Sequence, residues 1–186
     1  MEISVVATKL DRDAIWHIFH QIVALGDTYA FDPNMSRKQA LAYWFRPDTH
    51  TYVGKLDCFE KSRSKQTQRV VGTYILRPNQ SGGGSHVANA AFMVAPEARG
   101  QGIGRAMGEH CLSEARRLGF RGMQFNFVIS ANQSAVRFFT TSVSRSSALY
   151  PVHFVTLKKD TWTFMSCSGP CCSALSGGAR AINSDL

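Results

Sequence analysis

Apolar and polar positions change period several times along this 186-residue chain. ISVVAT, residues 3–8, is short and rich in β-branched residues, which predicts a strand. From Asp11 the spacing becomes helical: Ile15, Ile18, Phe19, Ile22 and Leu25 fall on one face, with Asp11 as the cap and Gly26 as the stop. Ser36 opens a second helix, SRKQALAYWF, which ends ahead of Pro47. TYVGKLDCF, VVGTYILRP and SHVANAAFMV then read as three strands. The polar run EKSRSKQTQR between the first two is expected as a solvated hairpin loop. A helix from about Gly104 to Leu118 closed by Gly119, a strand GMQFNFVI and a helix NQSAVRFF opened by Asn132 complete the pattern. The order β-α-α-β-β-β-α-β-α predicts an α+β domain, an antiparallel meander joined through one helix to a neighbouring parallel strand.

The pattern fades after Phe139. Residues 140–186 hold nine serines, three of the five cysteines and no Glu, and keep neither period for long. We therefore divide the chain into a domain, residues 1–139, and an atypical Ser/Cys-rich tail, residues 140–186. A content of 44% hydrophobic and 11% aromatic residues suffices for one packed core. The N-terminus reaches Lys9, Asp11 and Arg12 before any long apolar run, which fits neither a signal nor a transit peptide. No window approaches the roughly 18 apolar residues of a membrane span. A soluble, cytoplasmic protein without a membrane partner is expected. The cysteines lack the paired spacing of a zinc site, so free thiols and no metal are expected.

The formal charge of +8 suits a polyanionic ligand, and ARGQGIGRAM, residues 98–107, offers a place for one. Gly100, Gly102 and Gly104 lack side chains at alternate positions just ahead of a helix. Consecutive peptide N–H groups can then line a concave loop while the helix aims its free N-terminal donors at the same point, an arrangement that binds phosphate. Arg99 and Arg105 flank it. A dinucleotide fold needs GxGxxG straight after a strand and an acidic residue about 20 positions on. Here five residues separate Val94 from Gly100, the spacing is GxGxG, and GMQFNFVI carries no carboxylate. A P-loop needs Gly-Lys-Ser/Thr, whereas Arg105 and Ala106 follow Gly104. The basic residues lie in a loop and around this stretch without interleaved aromatics, so no nucleic-acid partner is expected.

At these residues the chain resembles the GNAT family of acetyl-CoA-dependent N-acetyltransferases. Arg99, Gly102 and Gly104 match that family's pattern of Arg or Gln, two residues, Gly, one residue, then Gly or Ala. Asn132 and Ala135 in ISANQSAV match a second motif, and the likeness runs from Met1 to about Phe139. The resemblance implies a GNAT fold, a mixed and mostly antiparallel sheet flanked by helices, with acetyl-CoA as co-substrate. It implies that the backbone of Val94 meets the pantetheine arm where two parallel strands splay apart. Arg99, Gly100, Gln101, Gly102, Ile103, Gly104 and Arg105 would hold the diphosphate, with Asn132 and Ala135 near the cofactor and the thioester beside Phe92 and Asn126.

GDTYAF, YWF, GTYILRPN, SHVANAAFMV and FNFVISANQSA are similar to a branch that acetylates proline analogues such as azetidine-2-carboxylate. That likeness implies transfer to the amine of a small amino or imino acid gripped by Asn89 and Asn126, with Tyr29, Tyr43 and Trp44 as pocket walls. The base is then a water chain or His86. A non-catalytic acyl-CoA-binding protein, and an enzyme acting on protein amines or polyamines, stand as alternatives. A homodimer is admitted. The family continues past its last helix into a Leu-Gly-Phe turn and two more strands, which TTSVSRSSALYPVHF does not supply. Either the tail is a natural Ser-rich extension, or one base is missing near the codons for residues 139–141. The shifted frame permits Leu-Gly-Phe and strand-like sequence. A sheet without those strands would expose an apolar edge.

Overall fold

The protein is described from a computed structural model, which covers residues 2–26, 29, 31–60, 65–129, 132, 135, 137–138, 152–158 and 161–167. The first helix is entered through a 3-10 turn, Lys9–Asp11, closed by reciprocal bonds. The Thr8 N–H donates to Asp11 Oδ2 at 2.8 Å, and the Leu10 N–H donates to Thr8 Oγ1 at 3.2 Å. Burial pushes the Asp11 carboxyl up, but the Thr8 hydrogen bonds and Lys55 Nζ, 3.1 Å from Oδ1, hold it below its usual value. Asp11 therefore caps the turn, and its side chain makes no cap bond to helix α1, Arg12–Val23. Ile15, Ile18, Phe19 and Ile22 are buried as their spacing predicts. Because α1 stops at Val23, that residue is buried and Leu25 is left 59% exposed, which corrects its expected place on the apolar face. Helix α2, Arg37–Trp44, starts from a reciprocal Ser36 and Gln39 cap.

Seven strands form one sheet in sequence order: β1 Glu2–Val6, β2 His50–Glu60, β3 Lys65–Pro78, β4 Val87–Val94, β5 Gly122–Ile129, β6 Val152–Lys158 and β7 Thr161–Cys167. Pairing is antiparallel except for β4 with β5 and β5 with β6. The hairpin is longer than its polarity suggests, for Lys65–Arg69 pair with Glu60–Leu56 instead of looping out. Main-chain bonding is indifferent to side-chain polarity in a two-stranded ribbon with little to bury. A second difference lies at the tail. The sheet does not end at β5; its outer edge is taken by β6, and β7 follows. VHFVTLK and TWTFMSC are rich in β-branched and aromatic residues, the composition of strands, although serine-rich segments surround them.

Helix α3, Ile103–Arg117, packs on one face of the sheet, and α1 and α2 pack on the other. On the α3 face Tyr52, Tyr74 and Phe92 stack across three strands, with ring centroids 4.7 and 5.3 Å apart. A Cβ on Gly72 would lie 2.9 Å from Met107 Cε and 3.2 Å from the Met93 carbonyl, so this glycine makes room for α3 to dock close. On the opposite face Trp44 is fully buried, and its Nε1–H donates to Thr73 Oγ1 at 2.9 Å. The Thr73 hydroxyl donates in turn to the Tyr52 carbonyl at 2.8 Å. Trp44 is thus a core residue, the commoner place for such an aromatic, and it walls no pocket.

Candidate active site

Strands β4 and β5 pair only at Val87 with Gly122 and Ala88 with Met123, and then part. On its other edge β4 stays laddered to β3 as far as Val94 opposite Gly72. Bonds of 2.8 Å from the Asn79 N–H to the Val87 carbonyl and from the Ala95 N–H to the Val71 carbonyl fix the alternation. Val87, Asn89, Ala91 and Met93 spend their main-chain groups on β3, while Ala90, Phe92 and Val94 turn theirs toward the gap. The Tyr29 hydroxyl reaches into this gap and donates to the Phe92 carbonyl. Burial raises the pKa of that phenol, which keeps it a donor.

Past Val94 the chain makes a 3-10 turn at Pro96–Ala98 and enters the glycine loop, where Gly100 and Gly102 have φ of +77° and +78°. Side chains rarely adopt that left-handed conformation. Among the described residues, the N–H groups of residues 100–105 donate to no carbonyl or side chain. The first bond beyond them runs from the Ala106 N–H to the Gly102 carbonyl, 3.0 Å. Gly104 is not in the left-handed region, and a Cβ there would sit 3.6 Å from Val94 Cγ2, an ordinary contact that sets the helix head directly beside the end of β4. Arg105 is tied along the helix to Glu109 at 3.0 Å, and Arg99 is exposed with no carboxylate partner among the described residues. The structure thus brings Val94 and residues 99–105 together at one end of the gap. Asn132 and Ala135 are joined to each other by a 3.2 Å bond from the Ala135 N–H to Asn132 Oδ1, the geometry of a helix cap.

On the face covered by α1 and α2, Asn89 is nearly buried, and its Nδ2 donates across the gap to the Gln124 carbonyl at 2.8 Å. Its Oδ1 is left as an acceptor. Asn126 Nδ2 donates to Asn79 Oδ1 at 2.9 Å, and Asn79 Nδ2 to Gln124 Oε1 at 3.2 Å. Asn89 and Asn126 thus stand on the two strands bordering the gap, as their motifs imply, and are held by Asn79 and Gln124, which the sequence did not single out. Tyr29 and Phe31 stack at 5.6 Å, and Phe31 meets the Tyr43 ring edge-on at 5.1 Å. His86 is exposed, with Nδ1 2.9 Å from the Gly83 carbonyl. It precedes β4, about 20 Å along the strand from Phe92.

A second polar cluster lies between α3 and the sheet. The Tyr52 hydroxyl donates to Glu114 Oε2 at 2.7 Å, and the Tyr74 hydroxyl sits 2.6 Å from His110 Nδ1. The bond from Arg117 holds the Glu114 carboxyl down at about 2, and burial with Glu114 pushes the Tyr52 phenol up to about 12. Burial also lowers the pKa of His110. Every hydroxyl in this cluster has a partner.

A split between parallel strands, with a helix head beside it whose first amides have no partner among the described residues, makes this end of the sheet the candidate active site. The family model of the acetyltransferase (GNAT) family matches residues 16–142, and the chain belongs to that family. It is 30% identical over 121 residues to N-acetyltransferase aca1 of Schizosaccharomyces pombe, a match spanning 62% of this chain and 58% of that protein. The chain therefore spans less than two thirds of that relative's length. Among solved structures it is similar to a GCN5-related N-acetyltransferase from Kribbella flavida, with 37% identity, a TM-score of 0.64, and coverage of 75% of this chain and 79% of that one. The fold is shared with yncA of Salmonella typhimurium, solved with its cofactor acetyl-CoA, at 20% identity and a TM-score of 0.65 over 97% of this chain and 98% of that one.

Proposed function

We propose that this chain transfers an acetyl group from acetyl-CoA to the amine of a small amino or imino acid. The observation that carries the reading is the row of unspent N–H groups at residues 100–105, opening onto the gap between β4 and β5. Acetyl-CoA bears about four negative charges, and these amides, the head of α3 and Arg99 form a fitting cradle for its phosphates. Val94 and Phe92 offer a strand edge to the pantetheine amides, as a missing neighbouring strand would. Asn132 and Ala135 flank the same ligand in this reading. When bound, the thioester supplies an activated acyl group.

The chain's own residues do the positioning. Asn89 Oδ1 accepts a hydrogen bond from the acceptor amine and so aims the nitrogen lone pair along the gap. Asn126, fixed by Asn79, borders the same space from β5. The Tyr29 O–H, kept protonated by burial, lies at the level of Phe92, where the acyl carbon is expected. As the N–C bond forms and the C–S bond breaks, the amine proton passes through water to the sulfur; His86 is too far along β4 to take it. Asn79, Asn89, Gln124 and Asn126 are all neutral, which argues against a polycationic acceptor such as a polyamine.

The test is thiol release from acetyl-CoA by the full chain against azetidine-2-carboxylate, proline analogues, common amino acids, a peptide N-terminus and polyamines. Release above the amine-free rate with small amino or imino acids is the expected result. Release with peptides or polyamines alone, or CoA binding without release by any amine, overturns the proposal.

A further inference from the structure

We propose that Arg77 binds the carboxylate of the acceptor, so that the cleft selects α-amino and α-imino acids over amines that lack an acidic group. This rests on the acetyl-transfer reading and adds the group by which the acceptor is recognised. In β3 six buried residues, Val71 to Leu76, lead directly into Arg77. The register sets Arg77 opposite Asn89. Their side chains therefore stand on the same face, about 5 Å apart at Cβ. The guanidinium is fixed by Tyr43: Cζ lies 4.8 Å over the ring, and Nη2 donates to the hydroxyl at 2.8 Å. Among the described residues two buried side-chain atoms lack a hydrogen-bond partner, Gln21 Oε1 and Arg77 Nη1, and only the second belongs to a charged group.

No carboxylate pairs with Arg77 among the described residues, and the polar side chains beside it on the sheet are the amides Asn79, Asn89, Gln124 and Asn126. A guanidinium presents its donors as a planar fork matched to the two oxygens of a carboxylate. Here one arm is spent on a phenol and the other is withheld from water with no partner among the described residues, an arrangement that an anion completes. In an α-amino or α-imino acid the amine and carboxylate share one carbon. A carboxylate at Arg77 accordingly brings the amine to Asn89, on the side of the gap. A diamine or a lysine side chain brings no anion and sets a second cation against the first.

The test reads binding and transfer separately on the full chain. Proline and azetidine-2-carboxylate, each beside its carboxamide, are measured by equilibrium dialysis at saturating CoA for the wild type, Arg77→Gln and Arg77→Lys, with thermal melts to confirm folding. The wild type is expected to retain the acids in preference to the carboxamides. Arg77→Gln is expected to lose about 10- to 100-fold in affinity for the acids, with the carboxamides and acetyl-CoA within about two-fold. Should Arg77→Gln not fold, Arg77→Lys carries the test, with a smaller loss confined to the acids. Equal retention of acid and carboxamide by the wild type, no retention of the acids, or an equal loss of both in the variants overturns the proposal. If no amine supports thiol release, the acetyl-transfer reading falls by itself, while Arg77-dependent retention of the acids still supports the carboxylate site.

Discussion

Two polar clusters, one on each face of the sheet, are treated in opposite ways. Beneath α3, the Tyr52 and Tyr74 hydroxyls end on Glu114 and His110, and the stacked rings leave no room between them. Beneath α1 and α2, Arg77 leaves a buried donor unspent beside a row of amides. Burial alone therefore does not distinguish these two clusters. Completion of hydrogen bonds does: the hydroxyls beneath α3 are met, and Arg77 Nη1 has no partner among the described residues.

The largest effect expected from this contrast is structural. Tyr74→Ala removes a fully buried ring from the α3 face and should cost about 3–5 kcal/mol, lowering the Tm by about 6 °C or more. Arg77→Gln, on the other face, is expected to change the Tm by little, since it removes a group whose bonds are incomplete. Equal destabilisation by the two substitutions in paired melts would erase the distinction. Next in size is the loop. Gly102→Val forces a β-branched residue to φ +78°, for about 1–2 kcal/mol of strain. The proposed cradle should also lose at least about ten-fold in acetyl-CoA affinity by calorimetry. Unchanged affinity would remove the loop from the site.

The smallest effect is one of pH. Glu114 has a folded pKa of about 2 against an ordinary 4.5, because Arg117 and Tyr52 favour its charged form. A depressed carboxylate adds stability that is fully present above pH 4.5 and is lost as pH falls toward 2. The wild type should therefore exceed Glu114→Gln by about 1 kcal/mol at neutral pH, a margin that closes across that acid range in denaturant titrations. A margin that widens on acidification would contradict the assignment.

Much of the frame was legible in the sequence because it is written in local periods. The apolar spacing of α1, the Ser36 cap of α2 and the glycines before α3 each express themselves within a few residues. What escaped depends on register. VVGTYILRP carries Arg77 in plain sight, but only the pairing with β4 sets it across from Asn89. Likewise, Tyr29 and Phe92 are 63 residues apart in sequence, and nothing local announces their bond. Lys65–Arg69 read as a loop because polarity was taken for the absence of pairing, and β6 and β7 were hidden by the serines around them. Asn89 and Asn126 were singled out through motif likeness; the residues that they bond, Asn79 and Gln124, have no such signature.

Gly72 marks how tightly the helix and the sheet are joined. With no methyl beneath Met107, α3 seats directly on β3, beside the Met93 carbonyl of β4. One added carbon there would have to push aside the end of a flexible side chain and crowd a main-chain oxygen, so it would be felt first as repacking along the seam under α3.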